Sequence, residues 1–155
     1  MKTLTFIVLL FIAPVLYAAE VLDMEFKDNR GKLYHTTTLS KDMAMHYGPA
    51  FATVDMQVLL IQTNSLSDEK YQAQNSYLDA LGHEVEEFAV IFVTACTQQE
   101  DIHGYYTSIE TAKKMSSEKR PFRIRLLNSK GVVLRDSSSP VKTPELRRWL
   151  QQKKS

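Results

Sequence analysis

The stretch FRIRLLNSKGVVLRD, residues 122–136, followed by TPELRRWL at 143–150, decides the fold. Ile124, Leu126 and Leu127 lead into Asn128, Ser129, Lys130 and Gly131, a turn cluster with glycine where a positive φ is cheap, and Val132 to Arg135 reads as the return strand. Thr143 as cap with Pro144 at the first helical position then predicts a closing helix. Its Leu146, Trp149 and Leu150 recur at one-turn spacing, and its basic residues gather toward the end.

Working backward from this hairpin and helix, Val58 to Ile61 and Phe88 to Val93 are continuous apolar runs, the pattern of strands buried on both faces of a parallel sheet. Parallel neighbours need a crossover, and Ser67 to Leu81 supplies one. Ser67 reads as its cap, Asp68 and Glu69 as its first turn, Tyr71, Leu78 and Leu81 as its inner face, and Gly82 as its stop. Ser108 to Met115 reads as a shorter helix, ended before Pro121. From Asp55 onward the expected order is therefore β-α-β-α-β-β-α. Ahead of it, Leu22, Met24 and Phe26 alternate with polar residues, Asp28 to Gly31 is a turn signal and Leu33 to Thr38 is a returning strand, which predicts a short hairpin or an added edge strand. Ser40 to Tyr47, stopped by Gly48 and Pro49, reads as a short helix.

Residues from about 55 to 150 resemble the uncharacterised thioredoxin-like family of small bacterial secreted proteins, on the apolar strand, the Gln-containing helix and the FRIRLLNSKGVVLRD and TPELRRWL closing segments quoted above. The resemblance implies an α/β fold, a thioredoxin-like core with a short N-terminal β/α extension, and implies no reaction. The chain divides on this reading into a signal peptide at 1–19, an extension at 20–53 and a thioredoxin-like domain at 54–155. The signal peptide rests on Lys2, the apolar run Leu4 to Leu16 and small Ala18 and Ala19 before polar Glu20. It predicts a periplasmic or secreted protein with no transmembrane segment after cleavage. An uncleaved N-terminal anchor is the alternative.

Charge excludes some partners. Without residues 1–19 the chain carries 18 basic and 18 acidic side chains, so bulk electrostatics favours no nucleic acid. The distribution is uneven, with 5 basic and 14 acidic residues from Glu20 to Thr107 and 13 basic and 4 acidic from Ser108 to Ser155. Either the halves neutralise each other across packed elements, or a basic face meets an anionic partner.

Chemistry is limited by a single cysteine, because a dithiol couple needs two sulfurs. Laid on the thioredoxin pattern, Ser67 and Lys70 fall roughly where two cysteines stand, and neither exchanges a disulfide. A Ser–Lys hydrolase dyad lacks a readable oxyanion site, and Asp68 and Glu69 hold the lysine protonated. The resemblance places Pro121 where thioredoxins carry a cis proline, although a helix-ending proline falls there equally well. Cys96 follows the second strand and is a weak catalytic candidate: it is buried and structural, exposed and idle, or a functional thiol. No helix N-terminus or adjacent cation in the sequence depresses its pKa. The widely spaced His35, His46, His83 and His103 predict no metal site, and no cofactor motif is present. His103, Tyr105 and Tyr106 form a candidate contact loop, with packing of the tyrosines on the sheet as the simpler account. Three functions follow. The first is a redox-inactive binding or accessory module with an envelope-protein partner. The second is a monothiol redox or peroxide-handling enzyme acting through Cys96. The third is a structural envelope component that binds an anionic polymer.

Overall fold

A computed structural model of the chain describes residues 19–98 and 100–152. The signal-peptide reading therefore falls, except for Ala19, outside the described residues. A mixed α/β fold is built on one seven-stranded sheet of order β2-β1-β5-β4-β3-β6-β7. Its strands are β1 (Glu25–Lys27), β2 (Leu33–His35), β3 (Gln57–Thr63), β4 (Val90–Cys96), β5 (Tyr105–Tyr106), β6 (Arg123–Leu127) and β7 (Val133–Ser137). The helices are α1 (Leu39–Tyr47), α2 (Glu69–Asp79), α3 (Glu84–Glu87), α4 (Ile109–Met115) and α5 (Thr143–Gln151).

The centre of the sheet follows from β3, whose seven residues are all buried. It pairs in parallel with β4 on one side and antiparallel with β6 on the other. Alternation along β3 then splits the core in two. Val58 and Leu60 face α1 and α4 together with Phe26, Tyr34, Leu39 and Met43. Leu59 and Ile61 face α2 and α5 together with Tyr71, Leu78, Leu146, Trp149 and Leu150. The expected hairpin at 128–131 forms. Asn128 Oδ1 accepts from the backbone N–H groups of Lys130 at 2.9 Å and Val132 at 3.0 Å. Gly131 has φ +78°, and a Cβ there would lie 2.7 Å from the Leu22 carbonyl oxygen. The turn needs glycine both for its φ and because the N-terminal chain passes against it, with Leu22 N–H donating to the Gly131 carbonyl.

Several boundaries differ from the sequence reading. Asp68, not Ser67, caps α2: its Oδ1 accepts from Lys70 N–H at 2.9 Å and Tyr71 N–H at 3.2 Å. Both residue types cap well, and the carboxylate adds charge to the interaction with the helix N-terminus. Thr143 is the first residue of α5, with Lys142 at the cap position. The threonine hydroxyl instead donates to the Tyr77 carbonyl at 2.7 Å and ties α5 to α2. The N-terminal hairpin stops at His35 and joins the main sheet through β5, a two-residue strand that no periodicity announces. Strand β7 begins at Val133 and contains a bulge opposite Leu126 and Leu127. No helix among the described residues is long and apolar enough to cross a membrane.

Candidate functional site

Strands β3 and β4 end side by side, Thr63 opposite Cys96, so the loops that follow them are neighbours. The first runs from Asn64 to Asp68 and carries hydroxyls rather than thiols. The second turns back after Cys96, and the Glu100 carboxylate crosses to the first. Glu100 Oε2 accepts from the Leu66 N–H and Oε1 from the Ser65 hydroxyl at 2.9 Å. The Leu66 N–H and Ser65 hydroxyl, with the Cys96 thiol, hold the Glu100 carboxyl below its usual range.

Cys96 lies beneath this clasp. It is 1 % exposed, and its thiol donates to Glu100 Oε2 at 3.4 Å. Burial raises its pKa, and the adjacent carboxylate raises it further, outweighing the N–H groups of Gln98 and Leu66. A nucleophilic sulfur needs the opposite: an exposed thiolate stabilised by cations or a helix N-terminus. What the arrangement does chemically is fasten two loops with a carboxylate.

The other singled-out residues fall around this edge. Ser67 is exposed, and its Oγ lies 2.9 Å from Ser65 Oγ. Lys70 is exposed, with Nζ 3.5 Å from the Ser138 carbonyl, so Ser67 and Lys70 form no dyad. Pro121 is exposed ahead of β6, and no peptide bond among the described residues is cis. His103 is 88 % exposed at the side chain. Tyr105 and Tyr106 are not loop residues but β5, and Tyr105 turns inward, packing edge-on against Phe26 at 5.9 Å and Tyr34 at 5.5 Å between ring centroids. Among the described residues, no three His, Cys, Asp or Glu side chains stand close enough to hold a metal ion.

Besides the clasp, two further features have no counterpart in the sequence reading. Asp28 is buried beside the aromatic cluster. Its Oδ1 accepts from Arg30 and Lys32 N–H at 2.9 and 3.0 Å, and its Oδ2 from the Tyr34 hydroxyl at 3.0 Å. Burial opposes ionisation there, yet these bonds win and hold the carboxyl below its ordinary value. The same burial, with the Tyr47 and Asp28 bonds, pushes the Tyr34 hydroxyl up. The second feature is a groove of about 850 Å³ on the α2 side of β4, between α2 and the segment 101–104. Partly buried Phe92 lies on its floor and Leu66 at the end nearest the Glu100 clasp. The turn signals flanking β4 contain no trace of it, because it exists only where α2 stops short of covering the strand.

Neither a protein-family model nor a curated protein sequence matches the chain. Solved structures do. A peroxidoxin from Mycobacterium tuberculosis superposes with TM-score 0.55 at 12 % identity, over 85 % of this chain and 92 % of its own. A thio-disulfide isomerase from Thermus thermophilus gives 0.53 at 13 %, over 87 % and 95 %. A conserved protein of unknown function from Bacteroides fragilis gives 0.51 at 10 %, over 86 % and 99 %. At such identities the likeness establishes the fold, which is thioredoxin-like, and not the activity.

Proposed function

We propose that this chain is a redox-inactive thioredoxin-like binding or accessory module of the bacterial envelope, delivered there by residues 1–19. One observation carries the reading: the loop after β3, where dithiol chemistry would sit, reads Ser65, Leu66, Ser67 and is fastened at Ser65 and Leu66 by the Glu100 carboxylate, while the lone thiol lies buried beneath it with its pKa raised. Disulfide exchange requires an accessible thiolate to attack and a second thiol to resolve the mixed disulfide, and both are lacking here. The anionic-polymer alternative draws little support from the packed arginines. Arg147 makes a two-point contact with Glu84 at 2.7 and 2.8 Å, Arg123 pairs with Asp136, and Arg125 lies 3.5 Å from Glu20. The basic second half is thus partly neutralised within the fold.

The thiol alternative keeps one supporting fact, the position of Cys96 at the sheet edge next to the loop, and one experiment separates the two. Purified protein should neither reduce insulin nor consume peroxide catalytically, and its thiol should react with a disulfide reagent at least about tenfold more slowly than free cysteine, given burial and a raised pKa. Catalytic turnover lost in Cys96→Ser would replace this reading with the monothiol enzyme. Export is checked separately: mass spectrometry of the mature protein should show a start at Ala19 or Glu20, and retention of Met1 would remove the signal-peptide premise.

A further inference from the structure

The groove beside β4 has a composition that specifies its occupant. Its apolar surface comes from Phe92, Leu66, Val85 and Ile102, all partly buried. The acidic residues lining it are Asp79 at the end of α2, Glu86 in α3 and Asp101 after β4, all exposed; among the described residues neither lysine nor arginine lines it, and its one histidine, His103, lies with Nε2 4.0 Å from Asp101 Oδ2. A floor that repays apolar burial and a rim of one sign focus attraction on ligands that carry apolar groups and positive charge together. Asp79 is the last residue of α2. A negative charge there opposes the helix dipole, so the rim is assembled against local helix electrostatics.

The walls are held apart and in place by hydrogen bonds at each end and along the floor. Glu100 fastens the loop carrying Leu66 to the segment leading into Asp101 and Ile102. The far end of that segment is anchored where Gly104 N–H donates to Asn29 Oδ1 at 2.9 Å. The floor is fixed by the Tyr71 hydroxyl, 3.2 Å from Thr94 Oγ1. A preformed groove loses little order on binding, which favours a peptide-sized guest.

We infer that this groove is the binding surface of the module and takes a cationic, leucine- or aromatic-bearing segment of a partner polypeptide. The inference rests on the binding-module reading and gives it a ligand class. Apolar side chains of the guest settle on Phe92 and between Leu66 and Ile102, and its lysines or arginines meet Asp79, Glu86 and Asp101. Those charges are exposed, so they govern encounter and selection of sign more than total affinity, and salt weakens them.

The test uses the mature chain and three synthetic peptides: one alternating leucine and lysine, one in which glutamate replaces lysine, and one in which serine replaces leucine. The leucine–lysine peptide should bind saturably, with amide shifts in nuclear magnetic resonance confined to Leu66, α2, α3, β4 and residues 100–104. The glutamate and serine peptides should bind at least about tenfold more weakly, the loss expected from opposing charge or from removing a few buried apolar groups. The triple variant Asp79→Asn, Glu86→Gln, Asp101→Asn should weaken the leucine–lysine peptide about tenfold and flatten its salt dependence. Phe92→Ser should weaken it too, and the triple variant keeps the test decisive where Phe92→Ser unfolds the chain.

Equal binding of the acidic peptide, shifts mapping elsewhere, or an unchanged triple variant would overturn the inference. So would a concentration-dependent dimer in sedimentation that Phe92→Ser abolishes, since the occupant would then be a second copy. These failures leave the redox reading standing. Catalytic thiol turnover would instead remove that reading without touching the groove.

Discussion

On the side of the sheet that carries α1 and α4, Phe26, Tyr34, Leu39 and Met43 are all buried, whereas on the opposite side α2 and α5 cover β3 and β6 and leave Phe92 of β4 partly bare. Both faces use the same device, an alternating strand under amphipathic helices. They differ in what closes over β4. On the first face α1 and α4 lie over the sheet, which the N-terminal hairpin continues beyond β5, and Phe26, Tyr34 and Tyr105 pack with ring centroids within 6 Å of one another. On the second the end of α2, the short α3 and the segment 101–104 line the groove beside Phe92 as walls instead of a roof. One face is therefore sealed for stability and the other is left open at the strand whose end carries the loop clasp.

The comparison breaks first on its largest residues. Phe26→Ala on the sealed face and Trp149→Ala on the inner side of α5 should each destabilise by about 3 to 5 kcal/mol, the range for truncating a buried aromatic and leaving its cavity. A domain of about 5 to 15 kcal/mol feels either change severely. Denaturant midpoints measure both. A Trp149→Ala midpoint equal to that of Arg148→Ala, an exposed position in the same helix, would mean that α5 is not docked.

Asp28→Asn comes next. Hydrogen bonds to a charged acceptor are worth about 1.5 to 3 kcal/mol, and the substitution weakens several at once. The folded carboxyl lies below its ordinary value, so its contribution is present above the unfolded pKa of 3.8 and is lost as pH falls through the lower folded value. The natural chain should therefore lose stability on acidification below about pH 4, as expected for a carboxylate titrating from its folded to its unfolded value. Asp28→Asn should flatten that part of the curve. Parallel acid titrations of circular dichroism compare the slopes, and identical slopes would show that Asp28 is not ionised in the folded protein.

How far each face was legible follows from the range of its interactions. The closing hairpin and α5 were readable because their signals are local: an Asn and a Gly in one turn, and Leu146, Trp149 and Leu150 on one stripe, all buried. Phe26 was readable by alternation with its neighbours. Strand β5 was not, since two tyrosines have no period and become a strand only because β1 and β4 flank them. The cap of α2 was misplaced by one residue because Ser67 and Asp68 are both good capping residues. The clasp was invisible for a different reason: Glu100 meets Leu66 across 34 positions of chain, and no spacing rule connects loops from different strands. The environment of Cys96 is hidden in another way: the carboxylate that raises its pKa stands only four residues on, but the burial that raises it most depends on how the two loops pack.

The open face sharpens with Phe92→Ala. Part of this ring is in solvent already, and its removal leaves an open groove rather than a sealed void. The cost should be about 1 to 2 kcal/mol, mostly the transfer of the buried part without a cavity penalty. The informative quantity is the ratio to Phe26→Ala, read from urea midpoints at unchanged slope. Equal losses would mean that α2 and the 101–104 segment close over β4 in solution.

The smallest effect carries opposite sign. Asp79 ends α2, where exposed carbonyls give the helix a partial negative charge, and a carboxylate placed there is repelled. Replacing it with asparagine keeps the shape and removes the repulsion, so Asp79→Asn should raise stability by about 0.3 to 0.5 kcal/mol at low ionic strength, the lower end of helix-dipole effects at exposed sites. The gain should shrink at high salt, because a charge exposed at the surface is screened within a Debye length of about 10 Å at 0.1 M. A screening-sensitive gain in melting temperature together with weaker binding of the leucine–lysine peptide would place a cost in folding and a benefit in recognition on one side chain. A loss of stability would mean instead that Asp79 makes a favourable contact in the fold, and the open face would then owe its acidic rim to structure rather than to a guest.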